Sequence, residues 1–139
     1  MKKTYLTVLV SAIAMAFILM SFSFPDDKPI GPEWEIPAKY EKMENPHKGD
    51  KSLKNVGRSL YMKHCRSCHG NKGEGDGPKA RMLKTAMRDL GSEEVQSHSD
   101  GALYYMSIIG RDEMPNYEDK IEYEEDRWAL INYIRSMKN

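Results

Sequence analysis

The residues with the clearest chemical purpose in this sequence are two cysteines and the histidine that directly follows the second one. Cys65, Cys68 and His69 form the pattern Cys-x-x-Cys-His, and the chain contains no further cysteine. Two thiols at this spacing can each add to one vinyl group of a porphyrin, while the next residue offers an imidazole to the iron. The pattern therefore predicts one covalently attached haem c, with His69 as an axial ligand of its iron.

Three other uses of a Cys-x-x-Cys pair fit the surrounding sequence less well. A thioredoxin-like redox site is normally found within a βαβ pattern, which is not visible here. A structural zinc site needs four ligands, and His47, His64 and His98 are too scattered to supply a second pair. A disulfide would suit an oxidising compartment, but His69 and the downstream Met114 favour haem.

The sixth coordination position of the iron needs a second ligand, and Met114 is the best candidate. It follows His69 in a predicted loop and is itself followed by a proline. A flexible thioether can reach the iron from such a loop, and His/Met ligation raises the reduction potential and closes the iron to small ligands. The methionines on predicted helices have core filling as their usual role. His98 is the alternative, and it would give a bis-histidine haem of lower potential.

Residues 1–24 predict a targeting segment. Lys2 and Lys3 precede an apolar run over residues 5–24 that contains no charged residue. The run is either a secretory signal peptide that is cleaved after Ser23, which is favoured, or an uncleaved anchor, because about 20 apolar residues suffice to span a bilayer. Both alternatives place the rest of the protein in the periplasm, either soluble or anchored to the inner membrane.

The charge balance argues against a nucleic-acid partner. Basic and acidic residues each number 21, so the chain lacks the basic excess that nucleic-acid binding requires. The basic residues concentrate at positions 48–88 and the acidic ones at positions 112–126. Such a dipole would orient the molecule on a redox partner protein, although an ordinary solvated surface would give the same pattern.

The elements that must position these residues form an all-α domain over residues 52–139. Residues 25–51 are predicted to be an extended arm, because their proline content excludes helices and strand pairing, and Trp34 is expected to pack on the domain.

Apolar spacing predicts the helices of the domain, and a glycine-rich loop is expected over residues 70–78. The expected helices cover residues 52–64, 79–90 with Met82 pointing inward, 101–109 with Asp100 as N-cap, and 124–137 with Trp128, Ile131 and Ile134 buried.

Over residues 52–138 these features resemble the class I cytochrome c family of small bacterial monohaem cytochromes. The resemblance implies the cytochrome c fold, in which a few helices surround one haem. It is carried by Gly57 with Tyr61, by Cys65-Arg66-Ser67-Cys68-His69-Gly70, by Gly73-Glu74-Gly75-Asp76-Gly77-Pro78, by Gly110-Arg111-Asp112-Glu113-Met114-Pro115, and by the helix from Asp126 through Trp128 to Tyr133.

The resemblance also implies roles for single residues. Gly57 would let the first helix cross the last one near Tyr133. Pro78 would lie beside the proximal imidazole, with a nearby backbone carbonyl accepting the Nδ1 proton. Arg111 and Tyr117 would bind a haem propionate.

The expected function is electron transfer rather than enzymatic catalysis. A His/Met-ligated haem would carry single electrons from a dehydrogenase or respiratory complex to an oxidase, a reductase or another cytochrome, with membrane contact only through residues 5–24. One alternative is a haem subunit fixed in a larger redox complex. A less favoured alternative is a peroxidase or sensor with an open iron site, which would require that Met114 does not bind.

Overall fold

The computed structural model of the protein describes residues 31–139. The predicted targeting segment and residues 25–30 of the predicted arm lie outside the described residues. Within residues 31–139 no strand forms, and an isolated bridge pairs Arg111 with Met114. The all-α prediction is therefore confirmed. No helix in this part of the chain is both long enough and apolar enough to cross a membrane.

Six α-helices are present in the part of the chain that the structure describes. They are α1 (Ala38–Glu41), α2 (Lys54–His64), α3 (Arg66–His69), α4 (Glu93–Gln96), α5 (Asp100–Tyr104) and α6 (Glu124–Arg135). Two 3-10 turns at Lys51–Leu53 and Ala80–Met82 and a π-helical turn at Tyr105–Ile109 accompany them. The two long helices, α2 and α6, agree with the predicted first and last helices of the domain.

Helices α2 and α6 cross at Gly57. A Cβ atom at this position would collide with the carbonyl oxygen of Ala129 and would lie 3.0 Å from the Cβ of Tyr133. Glycine in a helix interior costs about 1 kcal/mol relative to alanine, and here that cost allows two backbones to touch. The predicted crossing of the first and last helices is confirmed.

The core lies between α2, α5, the π-helical turn and α6. On α6 the expected stripe is buried, because Trp128, Ile131 and Ile134 are each at most 3% exposed. The Trp128 ring packs on Tyr104 with 4.7 Å between ring centroids. This packing fixes α6 against the end of α5.

The helix expected over residues 79–90 was predicted wrongly. Only Ala80–Met82 forms a single 3-10 turn, and the Met82 side chain is 82% exposed instead of pointing inward. Farther along, the backbone amide of Lys84 donates to the carboxylate of Glu113 rather than to a carbonyl one turn earlier. A distant side chain therefore replaces the helical hydrogen-bond pattern in this segment.

The helix expected over residues 101–109 begins earlier and changes its type. Its N-cap is Ser99, whose hydroxyl accepts a hydrogen bond from the backbone amide of Ala102, and not Asp100 as predicted. Asp100 is the first helical residue, and its carboxylate lies 2.7 Å from the Nε of Arg135. The aspartate therefore serves a tertiary ion pair while the neighbouring serine caps the helix.

The described part of the arm is not entirely extended, in contrast to the prediction. Helix α1 follows Pro37, which is its N-cap and has a φ of −61°. A proline at a helix start is tolerated because the N–H it lacks would have no helical partner there. Trp34 packs on the domain as predicted, with its ring perpendicular to that of Tyr105 at 6.2 Å between centroids.

Candidate functional site

A cleft in the domain brings together the four predicted ligands of the haem group. It contains about 1300 Å³ of unfilled space, including its solvent-facing mouth, and Cys65, Cys68, His69 and Met114 all contribute to its wall. Much of the remaining wall is apolar. The aliphatic and sulfur-containing residues in it are Leu83, Ala86, Met87, Leu90, Val95, Leu103, Met106 and Ile134. A large flat apolar group with one polar centre is the kind of ligand that such a cleft can hold.

The attachment motif is positioned by the junction of α2 and α3. Cys65 ends α2, with its amide donating to the carbonyl of Tyr61, and the amide of His69 donates back to the carbonyl of Cys65. Helix α3 is a single turn, and Gly70 ends it with a φ of +82°. Both sulfur atoms and the imidazole are therefore carried on one turn of helix, which fixes their spacing.

The glycine-rich loop packs on the backbone of the attachment motif. The amide of Gly75 donates to the carbonyl of His69 at 2.9 Å, and the amide of Gly77 donates to that of Cys68 at 3.1 Å. A Cβ at Gly77 would lie 2.6 Å from the carbonyl oxygen of Cys68. The loop thus satisfies carbonyl groups at the end of α3, where helical partners are missing.

The imidazole of His69 is suited to bind a metal. Burial lowers its pKa to about 4, so that the ring is neutral at pH 7. A neutral imidazole is the form that ligates iron. Its Nδ1 is buried and has no hydrogen-bond partner among the described residues. An unpaired buried nitrogen costs about 1–3 kcal/mol, and functional sites are where such groups are most often found.

The role that the family resemblance implies for Pro78 stays a prediction. Pro78 is exposed and is not among the residues that line the cleft. The hydrogen bond expected from the His69 Nδ1 to a carbonyl near Pro78 is not formed within residues 31–139. The packing of the glycine-rich loop on α3 is therefore the observed support for the backbone that carries the imidazole.

Both cysteines are available for attachment. Neither is part of a disulfide, and burial is the main cause that raises the pKa of Cys65 to about 12. Residues 31–139 contain no group of three or more histidine, cysteine or acidic side chains that could hold a metal ion without a porphyrin. The donor set therefore fits haem attachment better than a zinc site.

Met114 reaches the cleft from a loop that is shaped by two left-handed residues. Gly110 has a φ of +72° and Asp112 a φ of +50°. The amide of Met114 donates to the carbonyl of Arg111 at 2.8 Å, which closes the turn between them. Met114 is half-buried and packs against the core. The alternative ligand, His98, is not in the cleft wall, so the geometry favours Met114.

The two residues expected at a haem propionate both belong to the cleft wall. The Tyr117 hydroxyl donates to the carbonyl of His64 at 3.0 Å, and the residue is 8% exposed. The guanidinium of Arg111 donates to the carbonyl of Glu33 at 2.9 Å and to that of Pro32. Both side chains are thus held by the protein itself, and their contact with a propionate stays a prediction.

Sequence reasoning missed that the arm forms part of the site. Gly31, Pro32 and Trp34 line the cleft together with residues of the domain. A tryptophan in a proline-rich stretch indicated that the arm would pack somewhere on the domain. Nothing in the residue spacing could have indicated that it packs at this cleft.

Comparisons with known proteins agree on one family. The model of the family described as Cytochrome c matches residues 55–138. The CcoP subunit of the cbb3-type cytochrome c oxidase of Helicobacter pylori is 28% identical over 102 residues, which cover 72% of this chain and 33% of that subunit. The chain thus spans about a third of the length of this curated relative.

Solved structures show the same likeness. The KustC0563 c-type cytochrome superimposes with a TM-score of 0.51 and 29% identity, covering 60% of this chain and 98% of that one. Cytochrome cL of the marine methylotrophic bacterium Methylophaga aminisulfidivorans superimposes with a TM-score of 0.54 and 22% identity, covering 84% of this chain and 72% of that one. The second likeness concerns the fold alone.

Proposed function

The chain belongs to the cytochrome c family, whose cofactor is covalently bound haem c, and from this premise we propose that it carries single electrons between redox proteins. Haem supplies one-electron chemistry between ferrous and ferric iron when it is bound. The observation that carries the proposal is the common cleft of Cys65, Cys68, His69 and Met114. The cysteines would form the two thioether bonds, and His69 and Met114 would be the axial ligands.

The side chains of the cleft suit a carrier better than an open catalytic site. Leu103, Met106 and Ile134 give the cavity apolar walls, and the neutral His69 needs no proton release before it binds a metal. With Met114 also bound, the protein would leave no coordination position for substrate. The contacts of Pro78, Arg111 and Tyr117 with the haem remain predictions.

Carbon monoxide binding to the reduced holoprotein tests this proposal. A six-coordinate carrier will bind the gas slowly or not at all at neutral pH, whereas a Met114→Ala variant will bind it rapidly. If the wild-type protein binds carbon monoxide as fast as the variant, the carrier proposal fails and an open-site peroxidase or sensor is favoured.

The likeness to an oxidase subunit supports a second candidate function, a haem subunit fixed in a larger complex. CcoP is named as a subunit of such an enzyme, and this chain corresponds to a third of it. Purification from gently solubilised membranes distinguishes the candidates. Partner subunits in constant stoichiometry would favour the fixed subunit, and a cytochrome recovered alone from the soluble fraction would favour the shuttle.

We also place the domain in the periplasm, on the strength of the apolar run over residues 5–24. The intact mass of the mature holoprotein tests this placement. A mass that corresponds to loss of the leader supports export with cleavage, whereas a full-length chain in the membrane fraction supports an anchor. A full-length chain in the cytoplasm would contradict both.

A further inference from the structure

The loop that carries Met114 is attached to the arm by Arg111. The guanidinium of Arg111 donates to the carbonyls of Pro32 and Glu33 and lies over the ring of Trp34 with 4.1 Å to its centroid. Two hydrogen bonds from a planar cation together with a stacked aromatic ring form a more specific contact than a surface ion pair. Position 111 therefore holds the arm against the start of the loop.

The same loop is attached to the opposite stretch of chain, residues 83–90, by Glu113. Its carboxylate accepts hydrogen bonds from the backbone amides of Lys84 and Thr85 and from the Thr85 hydroxyl, at 3.0–3.2 Å. The Lys84 amide is the largest cause that holds the pKa of Glu113 below its usual value. Arg111 and Glu113 thus bind two different segments from either side of Asp112.

The arm and residues 83–90, which the loop contacts on its two sides, also contact each other at the cleft. A Cβ at Gly31 would lie 3.6 Å from the Cγ2 of Thr85, and the guanidinium of Arg88 lies 3.5 Å from the carbonyl oxygen of Gly31. Gly31, Thr85, Arg88, Arg111 and Glu113 all belong to the cleft wall. The arm and residues 83–90 therefore touch each other as well as the loop.

We propose that Arg111 and Glu113 are positioning residues that hold Met114 at the cleft by clamping residues 111–114 between the arm and residues 83–90. The inference rests on the proposed role of Met114 as an iron ligand. The arm lies outside the stretch that the family model matches, so that this clamp adds a support from beyond the family domain. Without it, Met114 would be held only by its own packing and by the turn that its amide closes with the carbonyl of Arg111.

The test uses the full-length holoprotein and four single variants. Arg111→Gln removes the cation, Trp34→Ala removes the ring beneath it, and Glu113→Gln leaves one acceptor oxygen for three donors. The control is Arg58→Gln, which changes an exposed arginine of α2. The readouts are the near-infrared absorption band of iron–sulfur ligation and the rate of carbon monoxide binding to the reduced protein.

We expect each of the three clamp variants to weaken the band and to raise the carbon monoxide binding rate about tenfold, because each removes hydrogen bonds or a stacked ring that hold the loop in place. The control will behave as wild type. The double variant Trp34→Ala/Arg111→Gln will show no more effect than Arg111→Gln, since both residues act through one contact. Additive effects would instead assign Arg111 a role independent of the arm and would overturn the clamp.

Two outcomes separate the failure of this inference from that of the proposed function. If the wild-type protein shows the band and the clamp variants match it in both readouts, the clamp alone is overturned. Wild-type protein without the band overturns both the ligand role of Met114 and the clamp.

Discussion

The hydroxyl of Tyr61 donates a 2.7 Å hydrogen bond to the carbonyl oxygen of Gly70, and both groups are buried. This bond joins α2 to the residue that directly follows the attachment motif. Burial raises the pKa of Tyr61 well above its usual value, so the hydroxyl remains a donor throughout the neutral range. The ring also packs against Tyr133 of α6 at 5.3 Å between centroids. One side chain therefore connects both long helices to the site.

The first prediction concerns this bond. Tyr61→Phe keeps the ring but leaves the Gly70 carbonyl without its partner, which should lower the free energy of unfolding of the holoprotein by about 1–3 kcal/mol. Urea unfolding followed by circular dichroism measures the change. The matched control is Tyr123→Phe, because the Tyr123 side chain is 67% exposed. Equal stability of the two variants would show that the bond contributes nothing.

The second prediction concerns the helix crossing. Gly57→Ala should destabilise the holoprotein by about 1–3 kcal/mol, because the added methyl meets the backbone of Ala129 rather than a movable side chain. Alanine is the better helix former by about 1 kcal/mol, so a loss of stability isolates the steric effect. Thermal unfolding of Gly57→Ala beside Ser59→Ala, an exposed position on the same helix, provides the comparison. A Gly57→Ala variant that gains stability would contradict the close crossing.

The third prediction concerns the ion pair that fastens α6. Arg135 contacts the carboxylate of Asp100 and also donates to the carbonyl of Gln96 at 2.7 Å, and the Asp100 side chain is 10% exposed. Because hydrogen bonds of charged groups contribute about 1.5–3 kcal/mol, Arg135→Gln should lower the unfolding free energy by roughly that amount. Denaturant unfolding at low and high salt measures it, with Arg58→Gln as the control. A loss no greater than that of the control would mean that the pair is only a surface contact.

The spacing of neighbouring residues was enough to predict the attachment site, whereas contacts between residues far apart in the chain could not be predicted from the sequence. Cys65, Cys68 and His69 sit on one turn, so that their relation follows from the sequence alone. Met114 could be named as a candidate because it lies in a predicted loop and a proline follows it.

The errors arose where a distant residue decided the structure. The helix expected over residues 79–90 is absent partly because Glu113, 29 residues beyond Lys84, binds that amide. The sequence also showed a cation at Arg111 but could not show that its guanidinium reaches a carbonyl 78 residues earlier. No periodic pattern records such contacts, since each depends on how the arm and the loop meet in three dimensions.

The fourth prediction concerns covalent attachment. Cys68→Ala should leave one thioether bond at most, so that the holoprotein keeps a free vinyl group and its haemochrome absorption shifts to a longer wavelength. The neighbouring Ser67→Ala is the control, because it leaves both thiols in place. Spectra of both purified variants under alkaline denaturing conditions provide the measurement. A Cys68→Ala protein with the wild-type spectrum would refute the attachment assignment.

The central claim is that His69 and Met114 together complete the coordination of one haem iron. The most direct test is the near-infrared spectrum of the oxidised, purified holoprotein beside that of Met114→Ala, with Met82→Ala as a control at an exposed methionine. We expect the weak iron–sulfur band in the wild-type protein and in Met82→Ala, and its loss in Met114→Ala. A band that persists in Met114→Ala would contradict the claim and would assign the sixth position to another methionine.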